Sequence, residues 1–451
     1  MSKRLIVLLA LAFVVGLAFN AYAEVQNIKV SGDVLVSGIT RDNFNLLKET
    51  AAPSAAAGAN NDDQESLFLT QTRVRVDADL TDNVSATVRL INERNWSVQD
   101  TVTNNNDDID LDLAYVSLKE FLYSPLSLKV GRQEIKFGNG LIIGHARNYV
   151  AGAAAASSIA GVPTDLTMKK AFDAIRATFN YDALVVDAVY AKMDENTNTP
   201  AATAGVNDDV DLFGVNAKFD IDSKTSIEGY AWILDGSDDA TVGFTDKASQ
   251  VITFGGLLTV NPIEKLKASL EVAHQTNKPR VVGNGERRTT SWAFQAMADY
   301  TLGTKYDPML GFSYTHLPTD WQAGYYDQPG IMNNIVYTIL PYSNIQAFNI
   351  KGSIKPMDDV TLLANYGWYQ RNKDTVVAGA AANSNSDGTN YGTYNLRGEK
   401  ELGSAVDLTA TYDYTEDVQF GLTTGMFFPG RAFDGDNDKA VQVVGSMKVT
   451  F

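Results

Sequence analysis

Apolar and polar residues alternate along almost the whole chain beyond residue 23, which is the pattern of β-strands with one buried face. Between residues 72 and 80 one face is apolar and the other charged: Val74, Val76, Ala78 and Leu80 against Arg73, Arg75, Asp77 and Asp79. Similar alternation runs through residues 84–93, 292–300 and 406–414. Beyond the N-terminus, no amphipathic helix of comparable length interrupts it. The pattern predicts an all-β chain.

Short and long connections between the predicted strands also alternate. Short connections fall at 81–83, 122–125, 181–183, 220–224, 261–265, 303–306, 356–359 and 415–417. Between them lie long segments rich in Asn, Asp, Gly and Ala: 45–65, 95–109, 137–170, 194–209, 235–248, 277–287, 317–343, 372–401 and 429–438. Short periplasmic turns and long extracellular loops are typical of outer-membrane proteins. We therefore expect a closed, transmembrane, antiparallel up-and-down β-barrel of about 18 strands, which has no exposed edge strand.

The N-terminal residues have the composition of a secretory signal peptide. Lys3 and Arg4 precede an apolar run over residues 5–19, and a small-x-small cleavage sequence follows at residues 21–23. The alternative, a membrane anchor, needs about 20 apolar residues, which is more than this run provides. We expect residues 1–23 to be removed on export and residues 24–451 to form a single barrel domain.

The C-terminal residues form an apolar alternating strand that ends in an aromatic residue. Its apolar face is formed by Val441, Val443, Met447, Val449 and Phe451. A terminal Phe on such a strand is the usual signal by which barrel-assembly machinery takes up its clients, and it indicates the bacterial outer membrane. Aromatic residues near strand ends are expected to form interfacial girdles on such a barrel: Tyr181, Trp292, Tyr300, Tyr412 and Tyr414.

The amino-acid composition argues against several classes of function. The chain has 451 residues, no Cys and three His, and its formal net charge is −17. Without Cys there is no disulfide, thiol nucleophile or Cys-ligated metal, and the negative charge argues against nucleic-acid binding. His145, His274 and His316 lie far apart in sequence, and none has the nucleophile pattern of a hydrolase nearby. We expect no catalysis, no cofactor and no metal centre.

Several motifs resemble those of a known family. They are the sequences at residues 114–118, 128–138 and 171–177, with Leu402-Gly403, Asp407-Leu408-Thr409 and residues 427–430 near the C-terminus. Together they resemble the strand–turn–strand and closing-strand motifs of alginate export outer-membrane proteins. The resemblance implies an 18-stranded barrel that passes anionic polysaccharide. At Ser404-Ala405-Val406 the chain lacks the acidic residue that the family's pattern places shortly before Asp407.

Candidate pore-lining residues follow from the inward polar face of a wide barrel. Five arginines are assigned to the inward faces of predicted strands 2, 3, 5 and 6: Arg73, Arg75, Arg89, Arg132 and Arg176. In one interpretation they form an anion-attracting strip, because guanidinium groups bind carboxylates in a bidentate manner. In the other, carboxylates of residues such as Asp77, Asp79, Glu93 and Glu134 neutralise them and they brace the wall. Glu134 and Asp407 complete the candidate set.

Two long loops are candidates for narrowing the pore. The Gly-rich segment 138–144 either folds inward and constricts the lumen or covers the mouth. The loop 317–343 carries Trp321, Tyr325, Tyr326 and Tyr337, which either stack on sugar rings or belong to an interfacial girdle.

The predicted function is an outer-membrane channel for anionic, alginate-like polysaccharide or for related anionic or sugar solutes, by passive or facilitated diffusion. The alternatives are a general or substrate-specific porin for small-solute uptake, and a structural or adhesive barrel. Acidic clusters in the loops, such as residues 107–110 and 434–438, are expected to bridge lipopolysaccharide through divalent cations. The alternative at 434–438 is a calcium loop, because the segment has D-x-D-x-D spacing, although position 12 of that loop is Gly445. Other expected partners are the barrel-assembly machinery, through Phe451, and a periplasmic export partner. No nucleic-acid partner is expected.

Overall fold

Eighteen antiparallel strands form one closed sheet in the computed structural model. The structure describes residues 27–46, 64–96, 108–146, 158–159, 162–163, 166–194, 210–236, 249–278, 289–319, 321–322, 327, 334–340, 342–374, 396–433 and 437–451. The barrel strands are β1 (Asn27–Asp42), β2 (Glu65–Thr81), β3 (Val84–Asn95), β4 (Asp110–Leu118), β5 (Leu126–Gln133), β6 (Phe172–Tyr181), β7 (Leu184–Asp194), β8 (Val210–Asp220), β9 (Thr225–Gly236), β10 (Ser249–Ile263), β11 (Leu266–Lys278), β12 (Thr289–Thr301), β13 (Met309–Leu317), β14 (Ile345–Met357), β15 (Val360–Gln370), β16 (Glu401–Asp413), β17 (Val418–Pro429) and β18 (Ala440–Thr450).

Each strand pairs with its neighbours in sequence, and β18 pairs with β1 to close the barrel, with Val34 opposite Val449. The strand number and the up-and-down topology expected from the sequence are thus confirmed. A six-residue helix, α1 (Asn334–Ile339), and a hairpin of two-residue strands, Ser158–Ile159 with Val162–Pro163, complete the described elements. Within the described ranges no helix is long and apolar enough to cross a membrane. The expected signal peptide lies outside these ranges.

The barrel is apolar on its outside and polar on its inside. Outward-facing residues such as Val76, Phe294 and Leu422 are large, apolar and exposed, whereas inward residues such as Gln71, Glu271 and Gln295 are polar and buried. This inversion is expected where lipid surrounds the wall and polar groups line the lumen. The five aromatic residues assigned to the girdles are all exposed: Tyr181, Trp292, Tyr300, Tyr412 and Tyr414.

The seam of the barrel depends on a glycine. The backbone of Phe451 exchanges two hydrogen bonds with Gly32, with N···O distances of 2.8 and 3.0 Å. A Cβ at Gly32 would lie 2.6 Å from the Phe451 ring and 2.5 Å from the backbone oxygen of Arg73. The absence of a side chain therefore lets the terminal ring pack across the seam between β1 and β18.

The main apolar core lies inside the barrel, toward the ends of the strands that join the longer connections. Loop residues that follow β1, β5 and β13 contribute to it: Phe44, Leu46, Ile135, Leu141, Ile143, Trp321, Ile335, Val336, Ile339 and Leu340. The wall beneath them carries small residues at inward positions: Ala191, Ala273, Ala293, Ala347, Ala405 and Ala440. Small wall residues leave the space into which the loops fold.

Candidate functional site: the lumen

Ion pairs line the inner wall of β1 and β2. The Arg73 guanidinium donates two hydrogen bonds to the Asp33 carboxylate, at 2.8 and 2.9 Å. Arg75 binds Asp77 in the same bidentate manner, at 2.7 and 2.8 Å. The Arg75 side chain is still 36% exposed. Both arginines face inward as expected from the alternation, and each has a carboxylate partner.

Arg89 on β3 binds two carboxylates at once. Its Nε lies 2.5 Å from Oδ2 of Asp112, which is almost fully buried, and its Nη2 binds Glu134 at the beginning of the loop after β5. Asp112 reaches the lumen because a bulge in the pairing of β3 with β4 inserts one residue opposite Arg89 and Leu90. Glu134 is half exposed and therefore accessible from the pore.

Arg176 on β6 faces the lumen between a carboxylate and an aromatic ring. Its Nε donates to Oδ1 of Asp187 on β7 at 2.7 Å, and its guanidinium lies 5.0 Å from the centre of the Phe137 ring. Thr178 donates a second hydrogen bond to the same carboxylate oxygen. Each of these four inward arginines is thus compensated by at least one carboxylate, on its own strand, on a neighbouring strand or in the loop after β5.

Arg132 does not belong to this set, and the expectation that it faces inward is corrected. It lies directly opposite Ala114 on β4 and Asp173 on β6. Those positions share the outward face with Val116 and Ile175, which are exposed apolar residues. Its partner is Asp173, with Nη1 3.6 Å from Oδ2. Strand residues alternate between the two faces, so the inward neighbours on β5 are Lys129 and Gln133.

Lys129 lies on the inner face of β5, close to Tyr115 of β4. Its Nζ lies 4.6 Å from the centre of the Tyr115 ring on β4, and the Tyr115 hydroxyl lies 3.5 Å from Nη2 of Arg75. Among the described residues Lys129 forms no ion pair. It therefore contributes a cation outside the ion pairs of the described residues.

Asp407 lies on the inner face of β16 but beneath a loop. It is 5% exposed, and it is packed beside Gly425 of β17, where a Cβ would lie 2.6 Å from Asp407 Oδ1 and 3.2 Å from Ile335 Cβ. Ile335 belongs to α1, which lies against β16 and β17. Asp407 therefore lies beneath α1 and is not exposed to the open lumen.

The described part of the loop after β5, residues 134–146, lies inside the barrel. Along its first residues, Glu134 and Lys136 are exposed while Ile135 between them is buried, so charged groups point to the pore and apolar groups to the wall. Positive φ angles of 52° at Gly138 and 75° at Gly140 turn the chain. Of the two positions expected for the Gly-rich segment, the inward one is observed.

A second inward segment meets this loop at Asp327, which lies between β13 and β14. Nζ of Lys136 donates to the Asp327 backbone oxygen at 2.9 Å, and the Asp327 N–H donates to the Gly140 carbonyl at 2.9 Å. Nζ of Lys170 lies 3.0 and 3.1 Å from the two carboxylate oxygens of Asp327. We call this arrangement the Asp327 clasp. It joins two loops across the interior of the barrel.

Two of the four aromatic residues named for the loop 317–343, Trp321 and Tyr337, lie inside the barrel. Trp321 is 4% exposed inside the barrel and Tyr337 packs against the same apolar core, so neither belongs to an interfacial girdle. Nearby Tyr342 is buried, and burial raises the pKa of its hydroxyl well above the ordinary value. Tyr325 and Tyr326 lie outside the described residues.

The inner face of β10 to β17 carries mainly uncharged polar side chains. They include Thr253, Gln275, Gln295, Thr315, Asn349, Asn365, Thr409 and Thr423. Gln275 also fastens the inward segment, because its Oε1 accepts a hydrogen bond from the Gln322 N–H at 2.7 Å. We call the inner face of β1 to β7 the charged wall and the inner face of β10 to β17 the neutral wall. Most of the uncharged side chains of the neutral wall are buried, and it also carries the ion pair of Asp299 and Lys351. Within the described ranges no group of three or more His, Asp or Glu side chains could hold a metal ion.

Sequence reasoning missed most of the carboxylate partners: Asp33, Asp112, Asp187 and Asp327. The sequence alternation does predict that Asp187 faces inward, because the residues before and after it, Val186 and Ala188, are apolar and point to the opposite, outer face. Asp112 is displaced by a bulge, and Asp327 lies in a loop, so no periodic signal marks either residue.

Comparison with known proteins agrees with this architecture. Residues 47–446 match the family model described as alginate export. The solved structure of Pseudomonas aeruginosa OpdQ is similar with a TM-score of 0.56 at 12% identity, covering 95% of this chain and 99% of that chain. OpdO of the same organism gives a TM-score of 0.58 at 11% identity, covering 95% and 98%. A search of curated protein sequences finds no match. At such identities the structural likeness establishes the fold, and the family match establishes the family.

Proposed function

The chain belongs to the alginate export family, and from this premise we propose that its outer-membrane channel passes sugar acids, as alginate-like polysaccharide or as its fragments. Location in the bacterial outer membrane and a channel function, in place of an enzymatic one, follow from the family and the barrel. The finer proposal concerns the solute. The observation that carries it is the placement of Lys129 beside Tyr115 and Arg75 on the lumen face of the charged wall.

The charged wall suits a carboxylate that moves along it. Arg73, Arg75 and Arg176 are each partly exposed and held by one carboxylate, which fixes the direction of the guanidinium. A passing carboxylate can share the remaining donors of such a group without displacing its partner. Lys129 adds positive charge that no described carboxylate neutralises. Several weak contacts of this kind guide an anion without trapping it.

The neutral wall suits the hydroxyl groups of a sugar. Thr409 and Thr423 face the lumen from β16 and β17, and their Oγ1 atoms are 3.2 Å apart. Hydroxyl side chains both donate and accept hydrogen bonds, as sugar hydroxyls do. A uronate residue therefore meets cations on one side of the lumen and hydroxyl groups on the other.

Small-solute passage is the second candidate, and the inward loops favour it. The segment 134–146, Trp321 and Asp327 lie in the interior, where wall residues such as Ala273 and Ala293 are fully buried. A narrowed interior discriminates by size and charge more strongly than an open one does. Under this candidate the channel passes single sugars or short oligomers whether or not they carry a carboxylate.

Swelling of proteoliposomes in isosmotic solutes separates the two candidates. We expect glucuronate to enter faster than glucose, which matches it in size but carries no charge. Lys129→Gln should reduce the ratio of the two rates about fivefold, because one nearby unit charge at a wet site is worth roughly 1 kcal/mol.

Arg132→Gln is the matched control, because Arg132 lies on the same strand and faces outward. It should leave the ratio unchanged. Equal entry of both solutes through the native protein, or an unchanged ratio in Lys129→Gln, would refute the sugar-acid proposal and leave a general porin.

A further inference from the structure

A row of charged residues crosses the otherwise apolar outer wall. Arg132, Asp173, Lys192 and Asp211 stand directly opposite one another on β5, β6, β7 and β8. All four face outward, since the residues next to them in sequence, such as Phe172 and Leu212, are buried inside. We call this set the outer charged row. Charged groups on the lipid face are costly at the bilayer centre and nearly free at its interfaces, so the row marks an interface.

The neighbouring residues on the outer wall indicate the depth in the membrane at which the outer charged row lies. Two residues further from the long loops, the register aligns Val130, Ile175, Tyr190 and Phe213 across the same strands. The rings of Tyr190 and Phe213 pack with centroids 5.1 Å apart, and the Tyr190 hydroxyl donates to Oδ1 of Asp211 at 3.2 Å. An aromatic body in the apolar band with its hydroxyl in a polar layer is the arrangement of a membrane interface.

The two ion pairs along the row are longer than ordinary charge-assisted hydrogen bonds. Nη1 of Arg132 lies 3.6 Å from Asp173, and Nζ of Lys192 lies 3.3 Å from Asp211. Charge-assisted hydrogen bonds are about 2.7–2.9 Å long. The side chains of Arg132 and Asp173 are 40% and 60% exposed. The Arg132 side chain, on the outward face, is therefore only loosely paired and partly exposed.

We propose that Arg132 and Lys192 bind a phosphorylated lipid headgroup of the outer leaflet. They lie on strands separated by β6, which places them about 10 Å apart along the wall. Arg and Lys recognise phosphate by charge and by multiple N–H donors. Asp173 and Asp211 hold the cations in place. Asp235 on β9 stands opposite Asp211 and adds a further carboxylate at the end of the row.

Titration of the purified, detergent-solubilised protein with bisphosphorylated lipid A in Mg²⁺ buffer tests this site. We expect lipid A to bind about twenty-five-fold more weakly to Arg132→Gln/Lys192→Gln, since each basic residue near a lipid surface contributes a factor of about five in affinity and the two factors multiply. Lipid A from which both phosphates have been removed should bind native protein and variant equally. Lys129→Gln, which faces the lumen from β5, is the control and should bind like the native protein.

Should the double variant fold poorly, Arg132→Gln and Lys192→Gln are measured singly, each with an expected loss of about fivefold. Unchanged affinity in both single variants, or equal binding of native protein to lipid A with and without phosphates, would overturn the proposal. Conductance of the variants should equal that of the native channel, so the outcome does not depend on which solute the channel passes.

Discussion

Lys136 and Asp327 are 191 positions apart in sequence, and Nζ of Lys136 donates a 2.9 Å hydrogen bond to the Asp327 backbone oxygen. The contact joins the loop after β5 to the segment between β13 and β14. Since both segments start from the same rim of the barrel, the bond closes a bridge across the interior. The width of the channel thus depends on contacts between loops as well as on the number of strands.

Asp327→Asn should loosen this bridge. The substitution removes the negative charge that Lys136 and Lys170 share but keeps the hydrogen bond to the backbone. Because both lysines are partly exposed, the contact between the loops should be weakened by about 1 kcal/mol. We expect larger open-channel current noise and a higher mean conductance in planar bilayers. Asp299→Asn is the control, because Asp299 pairs with Lys351 on the wall away from the loops. Equal noise in both variants would show that the Asp327 clasp does not limit loop motion.

The two carboxylates that bind Arg89, those of Asp112 and Glu134, should contribute unequally to stability, because one is buried and the other is half exposed. Asp112→Ala leaves the buried guanidinium poorly compensated and should lower stability by about 3 kcal/mol, the lower end of the range for breaking a buried pair. Glu134→Gln changes an exposed partner and should leave stability within about 0.5 kcal/mol. Denaturant unfolding in lipid vesicles measures both. A larger loss in Glu134→Gln than in Asp112→Ala would contradict the assignment of Asp112 as the structural partner.

Alternation in the sequence was sufficient to predict the strands of the barrel wall, but it could not predict the contacts made by the loops. Along residues 128–133 the pattern itself groups Arg132 with Leu128 and Val130 on the apolar face. Arg132 was assigned to the lumen because polar side chains usually face the inside of a wide barrel. That assignment was wrong, because the local alternation places Arg132 on the outer face. Asp112 could not be found, because a bulge changes the face of each following residue by one position. The Asp327 clasp was also beyond reach, since contacts between distant loops leave no periodic trace in sequence.

Gly32→Ala should impair assembly of the barrel. The added Cβ meets both the Phe451 ring and the Arg73 backbone oxygen, so the seam has to shift. If the barrel-assembly machinery recognises Phe451 as proposed, folded protein in the outer membrane should fall severalfold, as judged by heat-modifiable mobility on gels. Gly445→Ala on β18 is the matched control, because nothing lies within 4 Å of a Cβ there. Equal yields for both variants would rule out a requirement for close packing at Gly32.

The reversal potential of single channels in a salt gradient tests most directly whether the charged wall sets the selectivity of the lumen. The chain as a whole is acidic, yet we predict that the native channel prefers anions, because Lys129 and the partly exposed arginines face the solute path. Arg75→Glu should move the reversal potential toward cation preference, and Arg132→Glu on the outer wall should leave it unchanged. Cation preference in the native channel that neither substitution alters would contradict the account.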